Sequence, residues 1–470
     1  MKTKLLLTIL ILGLSTSFFA QAFKHPPCRP LPNTISVADK VYFLSFFWSE
    51  AKYNFVFFDE LDFCWDSLFR ATIPKVMATE NDFEFYRVLQ RFAASLGDGH
   101  TQVFNSGQFF QYVDYVPFAG RFINDDFFIT RVRKPFDEIL PPGSRVIEVN
   151  GLPIDEYMKK NIHPFINSQS PSTIRFRAAS QVFASNLIRD SVQLLFITPN
   201  NETRFHVFAR DGEATRTPDD VHAGVLPRWA RQAMSLSWEN DNVAHLTVNT
   251  FNLNAERMAE LDNLLNEVVD ATGLIIDLRS NGGGSTRVAF QLLERISQQN
   301  YFLGLGYQTR VNDGVRRANG NWIEEFQDYF LDRAFRTHLP DTMHIPDTVK
   351  RFNMPIIVLI SERTFSAAED FLVMLYEMEN RPLLVGTPSG GSTGSPLVIA
   401  TGMIGENFPG GGSARICTRR VLFPRSLKPF NNSIMPDVLV EFDSIEEYLL
   451  GNDKVLNTAL EIMKEKISNR

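Results

Sequence analysis

Ser366 is the residue of this chain whose type and position best suit a nucleophile. It lies shortly after an apolar run, Ile356 to Ile360, that is typical of a buried strand, and a segment with helical spacing begins beside it. A serine at a helix N-terminus can be stabilised as an alkoxide, and the amide of Ala367 can donate to an oxyanion. Ser366 and Glu369 also match the capping box Ser-x-x-Glu, in which the serine only caps the helix. The nucleophile interpretation therefore requires a base.

A candidate base is His100, which directly follows the sequence Gly-Asp-Gly at residues 97–99. A histidine titrates near neutral pH, and a flexible glycine turn leaves the side chain room to reorient, as a general base requires. The alternative is an ordinary surface or core histidine, which is the more common role of a lone histidine. The assignment of His100 therefore depends on its partner, Ser366.

Three consecutive glycines, Gly282 to Gly284, follow a second strand pattern at residues 273–278. Because glycine has no Cβ, the amides of Gly282 and Gly283 can face a developing negative charge. A phosphate-binding turn and a purely structural loop are the alternatives. The spacing matches neither Gly-x-Gly-x-x-Gly nor Gly-x-x-x-x-Gly-Lys-Ser/Thr, so nucleotide binding is unsupported, whereas a structural loop stays open.

Composition excludes several classes of protein. Of 470 residues, 44% are hydrophobic and 21% charged, which excludes a disordered or fibrous chain. The formal net charge is −7 and no long basic run is present, so nucleic-acid binding is disfavoured. The length is that of a protein with several domains.

The first 22 residues have the pattern of an export signal. Two lysines precede an apolar run from Leu5 to Leu14, and Ala20-Gln21-Ala22 provides a small-x-small cleavage site. A membrane anchor needs about 20 uninterrupted apolar residues, and Ser15 to Ser17 end this run earlier. We therefore expect a signal peptide at residues 1–22, a mature chain without a membrane span, and a periplasmic or secreted location.

The cysteines and histidines contain no recognisable metal motif. Cys28, Cys64 and Cys417 are too few for a disulfide scaffold or a four-cysteine zinc site, although Cys28 and Cys64 could pair in an oxidising compartment. The eight histidines show no His-Glu-x-x-His spacing. We expect no metal and no organic cofactor.

Three patterns follow the signal peptide. Residues 23–105 place apolar side chains at helical spacing, which predicts a helical domain whose aromatic residues form core rather than a ligand pocket. Residues 106–212 contain short alternating stretches separated by turns, which predicts a β-rich domain. Residues 213–470 alternate strand and helix patterns, which predicts an α/β domain.

Taken together and in this order, the motifs resemble those of the C-terminal processing (tail-specific) serine peptidase family. They are Leu-Gly-Asp-Gly-His-Thr at 96–101, a PDZ-like strand and Asn-Gly turn at 142–151, Asp-Leu-Arg-Ser-Asn-Gly-Gly-Gly at 277–284, Thr-Phe-Ser-Ala-Ala-Glu at 364–369 and the glycine-rich segment 385–394. The resemblance implies that Ser366 is the nucleophile. It also implies a crotonase-like (ClpP/crotonase) α/β spiral core that carries an inserted PDZ-like domain.

The resemblance favours a Ser/His rather than a Ser/Lys mechanism. In the bacterial Ser/Lys branch a lysine stands in a Gly-Lys-Gly-Thr segment, whereas this chain reads Gly-Ser-Thr-Gly at 391–394. The chain is thus more similar to the tricorn-type branch, in which the histidine matching His100 is the base. Which acid orients His100 is open, and Glu369 and Asp98 are the candidates.

These observations predict an exported serine endopeptidase that hydrolyses peptides or the C-terminal regions of unfolded proteins. Ser366 would attack, His100 would accept its proton, and the amides of Ala367 and of Gly282 or Gly283 would hold the oxyanion. The alternative is a non-catalytic protein of the same fold that binds peptides or apolar ligands, because fold alone does not determine function.

Overall fold

The structure is a computed structural model that describes residues 30–105, 107–184, 186–187, 190–210, 220–222, 232–399 and 412–469. The expected signal peptide at 1–22, and Cys28 with its possible pairing to Cys64, lie outside the described residues. No helix among those described is both long enough and apolar enough to cross a membrane.

The N-terminal segment forms the predicted helices. Side-chain oxygens of Ser36 and Asn81 accept hydrogen bonds from the first turns of two of them. The aromatic residues pack as core, with Trp65 and Phe92 stacked at a ring-centroid distance of 4.3 Å. The elements are α1 (Val37–Asn54), α2 (Trp65–Met77), α3 (Asp82–Ala94) and a short strand, β1 (Gln102–Phe104).

The next segment is built on a seven-stranded sheet with the order β10-β4-β5-β8-β9, in which β3 pairs with β4 and β6 with β5. Asn150 and Gly151, both at positive φ, form the turn between β5 and β6 that the Asn-Gly sequence predicts. Strand β10 lies beyond residue 212, where the sequence pattern placed the end of this domain. The elements are β2 (Val113–Asp114), β3 (Phe118–Ile123), β4 (Asp126–Arg133), β5 (Arg145–Val149), β6 (Leu152–Pro153), α4 (Ile154–Asn161), α5 (Pro171–Gln181), β7 (Asn186–Leu187), β8 (Ser191–Ile197), β9 (Thr203–Ala209) and β10 (Asp220–His222).

The remainder confirms the predicted mixture of strands and helices. Its central sheet has the order β11-β12-β13-β18-β19-β23, parallel from β12 onward. The elements are β11 (Met234–Glu239), β12 (Val243–Val248), α6 (Ala255–Glu267), β13 (Gly273–Asp277), α7 (Thr286–Ile296), β14 (Tyr301–Leu303), β15 (Gly306–Arg310), α8 (Gly314–Asn319), α9 (Gln327–Phe330), β16 (Phe335–His338), β17 (Thr342–His344), β18 (Ile356–Ile360), α10 (Ala367–Tyr376), β19 (Leu383–Gly386), β20 (Pro396–Ile399), β21 (Ser413–Cys417), β22 (Arg420–Leu422), β23 (Val438–Leu439), α11 (Ile445–Leu449) and α12 (Lys454–Ser468).

Both faces of this sheet are covered, which explains why its central strands are continuously apolar. Successive side chains of a strand point to opposite faces. Leu274 and Ile276 of β13 therefore join the core beneath α6, α7 and α10, whereas Ile275 joins the cluster that includes Ala459 and Met463 of α12. The sheet is thus a rigid support for the loops at its ends.

Three of these loops meet at the carboxyl ends of the parallel strands, where open α/β sheets commonly form their sites. They follow β13, β18 and β19. A separate three-stranded sheet, β1-β21-β20, joins the helical segment to the third loop. Because β1 pairs with β21, the residues just before β1, including His100, are held beside these loops.

Candidate active site

The backbone of Ser366 has φ 58° and ψ −125°, a conformation that residues with a side chain rarely adopt. Helix α10 begins with the backbone carbonyl of Ser366, which accepts hydrogen bonds from the amides of Glu369 and Asp370 at 2.7 and 3.0 Å. The Ser366 hydroxyl caps no helix amide. The capping-box alternative is therefore wrong, and the strained turn presents the hydroxyl to the loops around it.

The Ser366 hydroxyl instead faces His100, with 3.0 Å between Oγ and Nε2. The other ring nitrogen, Nδ1, lies 2.9 Å from Oγ of Ser392, and that hydroxyl lies 2.9 Å from Oδ1 of Asp98. The structure thus brings the predicted serine and histidine together and adds Ser392 and Asp98 behind the histidine.

The direction of this chain of hydrogen bonds follows from the inventory of donors. An ionised carboxylate only accepts, so the single hydroxyl proton of Ser392 points to Asp98. Ser392 Oγ must then accept from Nδ1–H of His100, which leaves Nε2 with a lone pair directed at the hydroxyl of Ser366. This is the tautomer that a general base for Ser366 needs.

Asp98 is held rigidly. Its Oδ2 accepts hydrogen bonds from the amide of His100 at 2.9 Å and from the hydroxyl of Thr101 at 2.7 Å, while Oδ1 faces Ser392. Asp98 is buried. Of the two acids that the sequence offered, Asp98 is therefore the one connected to His100, through the hydroxyl of Ser392.

Glu369 is placed behind the loop that carries Ser392. Its carboxyl group accepts from the hydroxyl of Ser389 and the amide of Gly391, both at 2.6 Å, and from the amide of Ser392 at 2.9 Å. Burial raises the pKa of Glu369 to about 8, although these hydrogen bonds oppose the rise. Glu369 thus positions the loop and makes no hydrogen bond to the ring of His100.

The environment of His100 favours its neutral form. Burial lowers the pKa of His100 to about 4; Asp98 opposes this change, and the positive charges of Arg415 and Arg177 add to it. The ring stacks on Phe365 with centroids 4.8 Å apart and an interplanar angle of 12°. At neutral pH the imidazole is therefore available to accept a proton.

The amides of Gly282, Gly283 and Ala367, which the sequence offered as oxyanion donors, are not equally free to bind an oxyanion. The amide of Gly283 donates to Oδ1 of Asn281 at 2.9 Å, so it is already engaged. The amides of Gly282 and Ala367 have no acceptor among the described residues. These two amides are the ones left to bind an oxyanion, and the expectation that Gly283 could serve equally is not supported.

Gly283 is required for a different reason, namely its close approach to Ser366. A Cβ built on Gly283 would lie 2.6 Å from the Cβ of Ser366 and 2.8 Å from the amide nitrogen of Ala367, and the φ of Gly283 is +93°. No ordinary Cβ contact is that short, and L-residues rarely adopt that φ. The three-glycine turn thus brings the backbone up to Ser366.

We expect Gly283→Ala to displace Ser366 and to lower peptide hydrolysis at least about 100-fold, because a 1 Å misplacement can cost that much. The unfavourable φ and the clash should also lower the free energy of unfolding by about 1–3 kcal/mol. Activity assays and thermal melts measure the two effects. Gly314→Ala is the matched control, since a Cβ there would meet nothing within 4 Å; equal behaviour of both variants would contradict the close-approach role.

The residues before the glycines anchor this turn. Arg279 donates to Asp277 at 2.7 Å and to Asp453, just before α12, at 2.6 Å. Burial of Asp277 disfavours its ionisation, but Arg279 and His245 outweigh burial and lower the pKa of the carboxyl well below its usual range. This ion-pair network ties the glycine turn to the last helix.

Sequence reasoning missed Ser392 as a functional candidate, because it registered only as the place where the bacterial branch has lysine. The available signal was its position in the segment 385–394, but no local pattern distinguishes this serine from Ser389 or Ser395. Only the distance to His100 identifies it.

Comparisons with known proteins found a family model and solved structures that are similar to this chain. Residues 242–440 match the model of peptidase family S41. The mature CPAF structure in complex with lactacystin shares 17% identity with a TM-score of 0.69, over 92% of this chain and 99% of that chain. A putative peptidase from Parabacteroides merdae shares 18% identity with a TM-score of 0.52, over 91% and 96%. No curated protein matches.

These findings make the chain a serine-type peptidase. Residues 242–440 match the model of peptidase family S41, in agreement with the family-level prediction from the motifs. The matched segment contains Ser366, Ser392 and the glycine turn, whereas His100 and Asp98 lie before it.

Proposed function

We propose that this chain is an exported endopeptidase in which Ser366 is the nucleophile and His100 the general base. The observation that carries the proposal is the 3.0 Å distance between Ser366 Oγ and His100 Nε2, two residues that are 266 positions apart in the sequence. A structural serine or histidine has no need of this partner. A serine with an adjacent base that is itself oriented by a third group is the arrangement that nucleophilic catalysis requires.

In the proposed mechanism Ser366 Oγ forms a bond to the carbonyl carbon of the substrate while its proton moves to Nε2 of His100. The negative charge that develops on the carbonyl oxygen is stabilised by the amides of Ala367 and Gly282. The imidazolium then gives its proton to the leaving amine as the carbon–nitrogen bond breaks. Water, deprotonated by His100, hydrolyses the acyl-enzyme in the same way.

Ser392 and Asp98 act on His100 in both steps. The hydroxyl of Ser392 holds Nδ1–H, which keeps the lone pair of Nε2 directed at Ser366. When His100 becomes positive, the carboxylate of Asp98 stabilises that charge through the intervening hydroxyl. We propose this four-residue relay in place of a direct histidine–carboxylate contact.

The proposed substrate is a peptide or an unfolded protein. We propose that the β-rich segment binds part of it in the manner of a PDZ domain, and that the α/β core is a crotonase-like spiral. Helix α5 of that segment contacts the loop that carries Ser392, which we call the catalytic loop. The hydroxyl of Thr173 donates to the carbonyl of Gly390 in this loop at 2.8 Å. PDZ domains add an extended peptide to a sheet edge. Peptide bound on this segment would thus be next to Ser366.

The decisive test is covalent labelling with a fluorophosphonate probe, because only an activated serine reacts with it. We expect one label on Ser366, found by mass spectrometry, and protection by lactacystin, the compound bound in the CPAF structure. Export is tested by N-terminal sequencing of the mature protein. A folded wild-type protein that neither labels nor hydrolyses fluorescein-casein would favour the non-catalytic binding alternative.

The relay is tested by Asp98→Asn and Ser392→Ala. Each is expected to lower kcat/KM by about 100-fold, less than the loss from a carboxylate in direct contact with the histidine. Because Asp98 raises the pKa of His100, Asp98→Asn should also move the acid limb of the kcat/KM profile to lower pH. Ser468→Ala, at an exposed serine of α12, is the control. An unshifted acid limb would argue against the relay.

A further inference from the structure

A cavity of about 360 Å³ lies between α3, β1 and α5, and its lining includes Gln102, two residues after His100. Its polar lining is basic and neutral, with two guanidinium groups, Arg87 and Arg177, and the amide side chains of Gln90, Gln102, Asn167 and Gln181. Among the described residues, none that lines the cavity is acidic. Its electrostatic character is therefore that of a site for an anion.

The two arginines are held in place without a hydrogen bond to a carboxylate of a described residue, although the charges of Asp98 and Glu369 act on Arg177 at longer range. Arg87 donates to Oε1 of Gln90 at 3.1 Å and lies 3.5 Å from the ring centroid of Phe165, and Arg177 donates to the carbonyl of Asn167 at 2.8 Å. Within the described part of the chain neither forms a salt bridge. Partly buried guanidiniums usually pair with a carboxylate or phosphate, so the cavity has unused donors.

A third guanidinium, that of Arg415, adds to the positive electrostatic potential near the cavity. Arg415 of β21 donates to Oε1 of Gln102 at 3.1 Å, and its Nε is buried with no hydrogen-bond partner among the described residues. Burial lowers the pKa of Arg87 to about 10 and also lowers the pKa values of Arg177 and Arg415. All three stay charged at neutral pH. The nearest acids, Asp98 and Glu369, already accept hydrogen bonds within the catalytic loops.

The cavity is connected to the catalytic residues through a stack of side chains. The guanidinium of Arg177 lies 5.3 Å from the ring centroid of Phe365, and that ring stacks on His100. Gln102 donates to the carbonyl of Gly99, next to the histidine. Because His100 would protonate the leaving amine, the departing fragment of the substrate would lie near the histidine, to which these contacts connect the cavity.

We propose that the cavity binds a carboxylate of the departing fragment, held by Arg87 and Arg177, and thereby sets a preference for substrates with an anion on the leaving side of the cut bond. A peptide has two sources of such a group, an acidic side chain and the terminal carboxylate. This inference rests on the proposed peptidase function, and the experiment separates the two.

The test begins with a peptide that the wild-type protein cuts, identified by mass spectrometry of casein digests. It is synthesised in four forms that combine glutamate or glutamine on the leaving side with a free or an amidated C-terminus. We expect kcat/KM to be about tenfold or more higher for the carboxylate that reaches the cavity, which is the usual effect of a charge-assisted hydrogen bond. A difference between the glutamate and glutamine peptides would identify the side-chain carboxylate as the group bound. A difference between the free and amidated peptides would identify the terminal carboxylate.

Arg87→Gln is expected to abolish most of this ratio, and Arg87→Lys to keep part of it, because lysine retains the charge but not the planar fork. Arg91→Gln, on the exposed side of the same helix, is the matched control and should keep the wild-type ratio. High salt should reduce the kcat/KM ratio between carboxylate and neutral peptides only partly, because salt screens a partly buried charge pair less than an exposed one. Circular dichroism and thermal melts of each variant check the fold.

The outcomes are distinguishable. If the wild-type protein cuts all four peptides at equal rates, or if Arg87→Gln leaves the ratio unchanged, the cavity does not recognise a carboxylate, while the peptidase function stands. If no peptide or casein is cut at all, the proposed function itself fails. An excess for the neutral peptides would also overturn the inference.

Discussion

Ser366→Ala should abolish peptide hydrolysis, with a loss of at least about 10⁴-fold in kcat, while the protein keeps its fold. Among the described residues the hydroxyl has one hydrogen-bond partner, Nε2 of His100, and it makes no cap bond to α10. Its removal therefore costs about 1 kcal/mol of stability at most, the usual worth of one hydrogen bond. Hydrolysis of fluorescein-casein and the thermal melting temperature measure the two quantities separately.

The control for this variant is Ser426→Ala, at an exposed serine far from His100 in the sequence. It should keep full activity and full labelling by the fluorophosphonate. Ser366→Ala should lose both. A variant with a lower melting temperature and unchanged hydrolysis would show that Ser366 is structural and that the nucleophile is elsewhere.

His100→Ala is expected to lower kcat/KM by about 10³- to 10⁵-fold, since it removes the base from Ser366. In the wild-type protein a protonated His100 cannot accept the proton of the serine, so activity is lost as pH falls. Because burial lowers the pKa of His100 to about 4, the acid limb of kcat/KM should lie well below 6.5, the ordinary pKa of histidine.

The matched control is His338→Ala, because His338 also stacks on an aromatic ring, that of Tyr307, with centroids 4.4 Å apart. It should leave activity and its pH dependence unchanged. An acid limb at or above the ordinary histidine value, or full activity in His100→Ala, would contradict the proposed base. If the acid limb of the kcat/KM profile disappeared only when a lysine is replaced, a Ser/Lys mechanism would be indicated.

Burial of His100 also makes stability depend on pH. The folded protein binds a proton to His100 less readily than the unfolded chain does, because the folded pKa, about 4, lies below the ordinary value. This contribution to stability is present above the unfolded pKa and is lost as pH falls toward the folded pKa. Denaturant titrations of the wild-type protein and of His100→Ala between these limits should diverge on the acid side.

Local patterns in the sequence determined a large part of the catalytic domain. Strands β12, β13 and β18 are short apolar runs, and each is followed by a segment whose helical spacing predicts α6, α7 or α10. The position of Ser366 between β18 and α10 follows from these local patterns alone. The order of the motifs further indicated the family, and three of them, at 277–284, 364–369 and 385–394, lie in loops at the same edge of the central sheet.

Only the tertiary structure shows which partners the side chains of Ser366 and Glu369 have. Ser366 and Glu369 satisfy the capping-box pattern at the level of the sequence, yet the hydroxyl of Ser366 turns to His100 and the carboxyl of Glu369 to the loop of Ser392. A pattern four residues long contains no information about a partner 266 positions away.

The proposed relay and the basic cavity are both formed by residues from distant parts of the sequence. Asp98 and Ser392 are 294 positions apart, and Arg87 and Arg177 lie on helices of different segments. Their proximity is set by the pairing of β1 with β21 and by the contact of α5 with the catalytic loop. Hydrogen bonds depend on angles and on distances of a few tenths of an ångström, which only the packed chain fixes, whereas residue type and spacing decide which chemistry is available.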